Sequence, residues 1–417
     1  MKKRFLPLIM SAVMVIPVAC GLAACGDDNG DDSTYKITVW VGEGTKTLTQ
    51  NQIKSFNDTN TFGVTFNADV FEVSESVAAG DAIGNADAAD LFCFAQDQLA
   101  RLVRYSALSS IGPNAALAIE ERNDADSVAA ATLDDTVWAF PLTSDNAYFM
   151  YYDKRVVSEE HVGSLEAIIA DCEKAGRNFA MNLTETGGGW YAASFFYATG
   201  CVSEWPTDKD GKFTSDYTDT IDYEHGSTAA KGMKKLLNSK SYLASDKAST
   251  FSASIPSAVV VSGIWDYNTA KRELEDNLGI APLPSFYVDD PDTTYQLKTY
   301  LGHKFMGVKP QSDKYKASYL QQLALYLTSE ECQLERFEKV GWGPSNKAAQ
   351  TNEDVLASPA LNVLAQSSTM QQGQYPTNWW NSMVDLIRNI KSTSVDSLSV
   401  PFNTYRKTLP GLLTSMN

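Results

Sequence analysis

An α/β fold with a largely parallel sheet, divided into two domains, is predicted by three features of the chain. Short apolar strands alternate with amphipathic helices from residue 36 onward, at the spacing of βαβ units. About 390 residues remain once a leader is set aside, more than one ordinary core holds. A polar link, Thr143-Ser144-Asp145-Asn146, joins two apolar strands and suits a chain passing from one lobe to the other.

The leader comes first. Lys2, Lys3 and Arg4 precede an apolar run over residues 5–22, and small residues follow. That is the charged start, apolar stretch and cleavage site of an export signal. The run nearly reaches the length that spans a bilayer, so a transmembrane anchor is the competing reading. Pro7 and Pro17 argue against it, as does the stop at Leu22-Ala23-Ala24-Cys25. That tetrapeptide resembles a bacterial lipobox, which implies removal of residues 1–24 and lipidation of Cys25. Pro17-Val18-Ala19-Cys20 is the poorer match, with proline where an aliphatic residue is wanted. Residues 25–34 then read as an acidic tether: GDDNGDDST offers too little apolar surface to offset the entropy of ordering. Order is expected from about Tyr35.

Residues 36–40 (KITVW) form the first strand, and 47–57 a helix with Leu48, Ile53 and Phe56 at helical spacing. Strands follow at 64–71 and 90–94, then a helix over 96–105 with Leu99, Leu102 and Val103 on one face. Strands over 136–142 and 147–152 flank the polar link. The middle third continues with a helix at 165–175, a strand at 178–183 and a glycine-rich turn. Helices at 190–199 and 228–238 precede a buried strand at 257–263. The end is helical, over 316–327, 329–339 and 378–391. Ligands of such sheets bind beyond the carboxyl ends of the strands, so the residues just after Val39 and Phe92 are site candidates.

The formal net charge is −17, and −20 without the three cations of the leader. Such a surface repels nucleic acid and anionic headgroups. Cys93, Cys172, Cys201 and Cys332 make no C-x-x-C pair and stand near no histidine at metal-ligand spacing. They are either two disulfides or four small buried apolar residues. Histidine, the commonest general base and metal ligand, occurs only at 161, 225 and 303. No metal or cofactor is expected.

Eight segments, in order, resemble the extracellular solute-binding proteins of bacterial ABC importers, in the maltodextrin and oligosaccharide branch. They are KITVWVGEG, ADLFCFAQDQLARLVRYSAL, VWAFPLTSDNAYFMYYDKRVV, MNLTETGGGWYAASFFYATG, AVVVSGIWDY, APLPSF, YLTSEECQLERFEKVGWGPSNKAA and YPTNWWNSMVDLI. The resemblance implies two α/β lobes joined by three crossovers, with the ligand in the cleft between them. The crossovers fall near 143–146, 285–297 and 345–351. Lobe 1 comprises 35–143 and 297–345, and lobe 2 comprises 144–296 and 346–417. It further implies a monomeric, lipid-anchored receptor on the extracytoplasmic face of the cell membrane. That receptor closes on a sugar and delivers it to permease subunits, without enzymatic turnover.

A neutral sugar needs fixed polar groups for its rim of hydroxyls and aromatic plates for its C–H faces. The resemblance places such groups at Trp40 or its next few residues, Phe94, Asp97, Asp145, Glu185, Trp190, Trp265 and Trp380. Each has a plainer reading. Trp40, Phe94 and Trp190 could be core, Asp97 a helix cap, Asp145 a solvated loop residue and Glu185 a surface turn residue. No Arg or Lys falls among them, which favours a neutral ligand. Thr186-Gly187-Gly188-Gly189 stands where maltodextrin binders carry a further aromatic plate, which points to another glycan or a shorter one. It lacks the Lys-Ser/Thr pair of a phosphate loop and reads as a turn. Other classes are an extracellular glycosidase, which needs two carboxylates across a scissile bond, and the same fold binding a peptide or ferric iron. Tyr151-Tyr152 would be iron ligands but reads as an apolar strand.

In GQYPTNWW, Pro376 and Asn378 mark a helix start, with Asn378 as N-cap. Trp379, Met383, Leu386, Ile387 and Ile390 share one stripe and are expected in the core. Trp380 lies about 100° further round, off that stripe, and the resemblance places it in the cleft.

Overall fold

A computed structural model describes residues 33–414. The leader, Cys25 and most of the acidic tether lie outside the described residues. The first strand is Ser33–Val41, so its pairing begins two residues before Tyr35.

Two separate main sheets carry the fold. In the first, Ser33–Val41 runs parallel to Val64–Glu72 on one side and to Leu91–Ala95 on the other. Thr299–Val308 pairs antiparallel with Leu91–Ala95 and with Phe140–Asn146, and parallel with Thr369–Gln371. Helix Lys46–Thr59 covers this sheet with Ile53 and Phe56, and Lys314–Leu327 packs beside it. In the second sheet, the strand order is Tyr242–Leu243, Asn178–Ala180, Ser257–Ser262, Phe149–Asp153, Leu278–Ala281. Phe149–Asp153 is antiparallel to both neighbours.

Both sheets are therefore mixed, and the expectation of a largely parallel sheet is corrected. The chain leaves the first sheet at Asn146, enters the second at Phe149, and re-enters the first at Thr299. A strand arriving from the other sheet needs no crossover helix, so it is free to run antiparallel.

The second sheet's core includes Phe179, Phe195, Phe196, Phe286 and Phe402, with Trp379, Met383, Leu386, Ile387 and Ile390 from helix Trp379–Ser392. Asn378 occupies the N-cap position of that helix, but its side chain makes no capping bond. Pro376 O instead accepts the Trp379 N–H at 2.8 Å. All four cysteines among the described residues are buried free thiols, which decides between the two readings above.

Candidate functional site

Aromatic rings from both sheets meet where the chain crosses. Trp190, in the first turn of helix Gly188–Ala198, stacks on Tyr300 of the Thr299–Val308 strand at 6.1 Å and 6°. Trp265, in the turn after Ser257–Ser262, lies 6.2 Å from Trp190. Trp380 meets Tyr300 edge-to-face at 5.8 Å and continues the wall. Trp342, in the link after helix Glu330–Val340, closes the far end, with Lys304 Nζ 3.9 Å above its ring and 5.2 Å from that of Trp265.

Two carboxylates project here. Asp97 follows Leu91–Ala95 in a short 3-10 turn. It does not cap the next helix. Its Oδ2 accepts from Trp380 Nε1 at 2.9 Å and from Gln98 Nε2 at 2.9 Å. Burial raises its pKa above the usual carboxylate range, and those two bonds partly oppose the shift. Asp145 is 1% exposed and is not a solvated loop residue. Burial raises its pKa too, opposed by the Lys304 charge and the Gly343 N–H. Its Oδ1 has no hydrogen-bond partner, nor has the buried Trp190 Nε1. Buried polar atoms rarely stay unpaired, and these two each lack a partner.

Asp97→Asn gives a direct check on this electrostatics. An amide oxygen still accepts from Trp380 and Gln98, while the buried charge is gone. Because the folded pKa is raised, the fold favours the protonated acid. The ionised form therefore subtracts stability at neutral pH, and this loss disappears below the unfolded value near about 4. The ligand-free variant is expected to be more stable than wild type by about 0.5–2 kcal/mol at pH 7. The gap should close as pH falls through the folded pKa to that value. Paired melts across pH test this; a gap that widens on acidification overturns it.

Of the eight residues expected in the site, Asp97, Asp145, Trp190, Trp265 and Trp380 lie along this wall. Phe94 does not, and its place is corrected to the core. It is fully buried and packs edge-to-face on Phe305 at 5.7 Å, leaving no ring face for a solute. Trp40 is half-buried and packs beside Phe92 at the edge of the same cluster. The residue after Val41 is the one that reaches the site: a side chain on Gly42 would collide with Glu75 and Trp342. Glu185 is exposed and pairs with Arg388 at 3.9 Å, beside a recess lined by Asn238, Lys391 and Ser392 rather than on the aromatic wall.

The glycine turn has a steric cause. Gly187 adopts φ +82°, and a Cβ on Gly189 would stand 2.5 Å from Trp380 O and 3.0 Å from Met383 Cβ. Helix Trp379–Ser392 thus leaves no room at Gly189 for a side chain. Sequence reasoning missed Glu75, Tyr300, Lys304 and Trp342. Lys304 carried the one available signal, a lysine within the apolar run YLGHKFMGV.

A family model described as bacterial extracellular solute-binding protein matches residues 51–363. Among solved structures, one determined with acarbose superposes with TM-score 0.75 at 25% identity, covering 92% of this chain and 100% of that one. Maltodextrin binding protein MalE1 from L. casei BL23, without ligand, gives 0.73 at 20% identity over 92% and 99%. The GacH receptor of Streptomyces glaucescens GLA.O gives 0.72 at 20% identity over 91% and 99%. The latter two likenesses concern the fold. No curated protein sequence matches the chain. With the family model spanning well over half of its length, and a two-lobed α/β architecture to accompany it, the chain belongs to the bacterial extracellular solute-binding protein family.

Proposed function

We propose that this protein captures a neutral sugar, most simply a short oligosaccharide, and delivers it to the transmembrane subunits of an ABC importer. The observation that carries this reading is the aromatic wall Trp380, Trp190 and Trp265, backed by the buried Tyr300, with unpartnered buried atoms at Asp145 Oδ1 and Trp190 Nε1 beside it. Plates and open polar atoms are what a pyranose ring requires. One similar structure was solved with acarbose and another with maltotriose, which supports the class of ligand. The protein acts by binding alone.

Lobe 1 comprises residues 35–143 and 297–345, and lobe 2 comprises 144–296 and 346–417. Thr369–Gln371 of the last segment pairs with the edge of the first sheet, close to the crossovers. Hinge bending about 143–146, 285–297 and 345–351 opens and closes the cleft, a motion known in periplasmic binding proteins. A thermal-shift screen against neutral glycans is expected to find a ligand that adds about 2.7 kcal/mol at 100 times its dissociation constant. Small-angle scattering with that ligand should show a smaller radius than without it. A panel without hits, or an unchanged profile at saturation, counts against the reading.

Cys25 is the lipidated first residue of the mature protein, and the acidic segment after it tethers the lobes to the membrane. Cys25→Ala is expected to release the protein from membranes or leave the leader uncut. An intact mass that begins beyond Cys25 and carries no lipid overturns this.

A further inference from the structure

Two charged groups beside Asp145, Glu75 and Lys304, remain beyond that account. Lys304 rises from the Thr299–Val308 strand with 6% of its side chain exposed, and Glu75, at the start of helix Glu75–Ala82, with 12%. Lys304 Nζ lies 3.3 Å from Glu75 Oε1, an ion pair by distance. Yet that oxygen takes no hydrogen bond of good geometry, and Asp145 Oδ1 takes none either. A purely structural buried ion pair is stable when hydrogen bonds satisfy both partners; this one is left open. The backbone makes room for it. A Cβ on Gly42 would stand 2.3 Å from Glu75 Oε1, and one on Gly343 would stand 3.0 Å from Asp145 Cβ. The Trp342 and Trp265 rings flank the ammonium group.

Resting on the carbohydrate reading above, we propose that Glu75, Lys304 and Asp145 form a charge filter that admits an uncharged diol of the ligand and rejects uronates. A ring hydroxyl donates to Asp145 Oδ1 or Glu75 Oε1, and a neighbouring one accepts from Lys304 Nζ. A ligand carboxylate brought here meets two protein carboxylates. It finds no free counter-charge, because Lys304 is already paired with Glu75, and an unpaired charge in a closed cleft is costly.

The test uses the full mature chain as wild type, Glu75→Gln, Lys304→Met and the double variant. The probes are maltotriose and cellotriose, and the same trisaccharides carrying a terminal glucuronate or a terminal glucosamine. Wild type is expected to bind one neutral trisaccharide at least about tenfold tighter than its glucuronate form. Glu75→Gln should weaken the neutral ligand and shift preference toward the glucuronate form by about tenfold. Lys304→Met should shift it toward the glucosamine form by a similar factor. The double variant, with Asp145 left, should keep rejecting glucuronate. Either single variant carries the test if the other fails to fold, as judged by ligand-free melts. If wild type binds a neutral trisaccharide and the folded single variants keep its charge preference, the filter is wrong. If wild type binds no neutral trisaccharide, the carbohydrate reading fails and takes the filter with it.

Discussion

Trp379→Ala is expected to destabilise the ligand-free protein by about 3–5 kcal/mol, the range for truncating a large aromatic in a core. Trp379 is fully buried among the apolar residues of the second sheet's core. Its ring stacks on Tyr375 at 4.3 Å and 10°. Its Nε1 donates to Tyr405 OH at 2.9 Å, and that hydroxyl donates to Asp219 Oδ2 at 2.9 Å. The same Asp219 oxygen accepts from Ser203 Oγ at 2.7 Å, which in turn accepts from Trp205 Nε1. One indole thus fastens helix Trp379–Ser392 to helix Ser399–Thr414 and to a buried polar chain. Truncation leaves a cavity on rigid neighbours and removes one donor from a network that depends on being satisfied. Ligand-free denaturant melts measure it. A loss under about 1 kcal/mol, the size of a single hydrogen bond, counts against this role.

The parts of the fold that were legible in the sequence are those whose apolar residues follow one period. Ile53 and Phe56 are buried on helix Lys46–Thr59, and Val39 and Val41 on the first strand, as their spacing requires. The Thr299–Val308 strand was not legible. Its centre reads Gly302-His303-Lys304, and polar residues there speak against a buried central strand. They are tolerated because their partners come from elsewhere: Glu75 for Lys304, and Ser144 Oγ, 3.1 Å from His303 Nδ1. No local pattern announces a partner more than 150 positions away. The same distance hid the destination of Glu185, whose direction is set by Arg388. Phe94 failed for a different reason. Being at the end of a strand locates the chain at the cleft, but all five residues of Leu91–Ala95 are buried, so the side chain is spent on packing. Periodicity is thus informative about which face a side chain takes, and silent about charges that pair across the chain.

Trp380 is where that distinction matters most, because it neighbours Trp379 and is expected to behave oppositely. Trp380→Ala should weaken ligand binding by at least about 2 kcal/mol, roughly thirtyfold, as for an anchoring hot spot. Ligand-free stability should change by about 1 kcal/mol or less, one hydrogen bond's worth. About 100° round the first helical turn, its ring leaves the core stripe and stands half-buried against Tyr300. Its Nε1 donates to Asp97 Oδ2, which belongs to the first sheet's side of the cleft. The ring's pitch is therefore fixed by a residue that follows a strand of the first sheet. Under the proposed function, such a bond holds the ring in place before the sugar arrives, which reduces the entropy lost on binding. Losing it costs the empty protein little, since Asp97 Oδ2 keeps its bond from Gln98. Calorimetric titration with the trisaccharide selected above, alongside ligand-free melts of both tryptophan variants, separates the two roles. If Trp380→Ala binds normally, or the two variants exchange phenotypes, the wall is not the binding surface and the indole is one more piece of core.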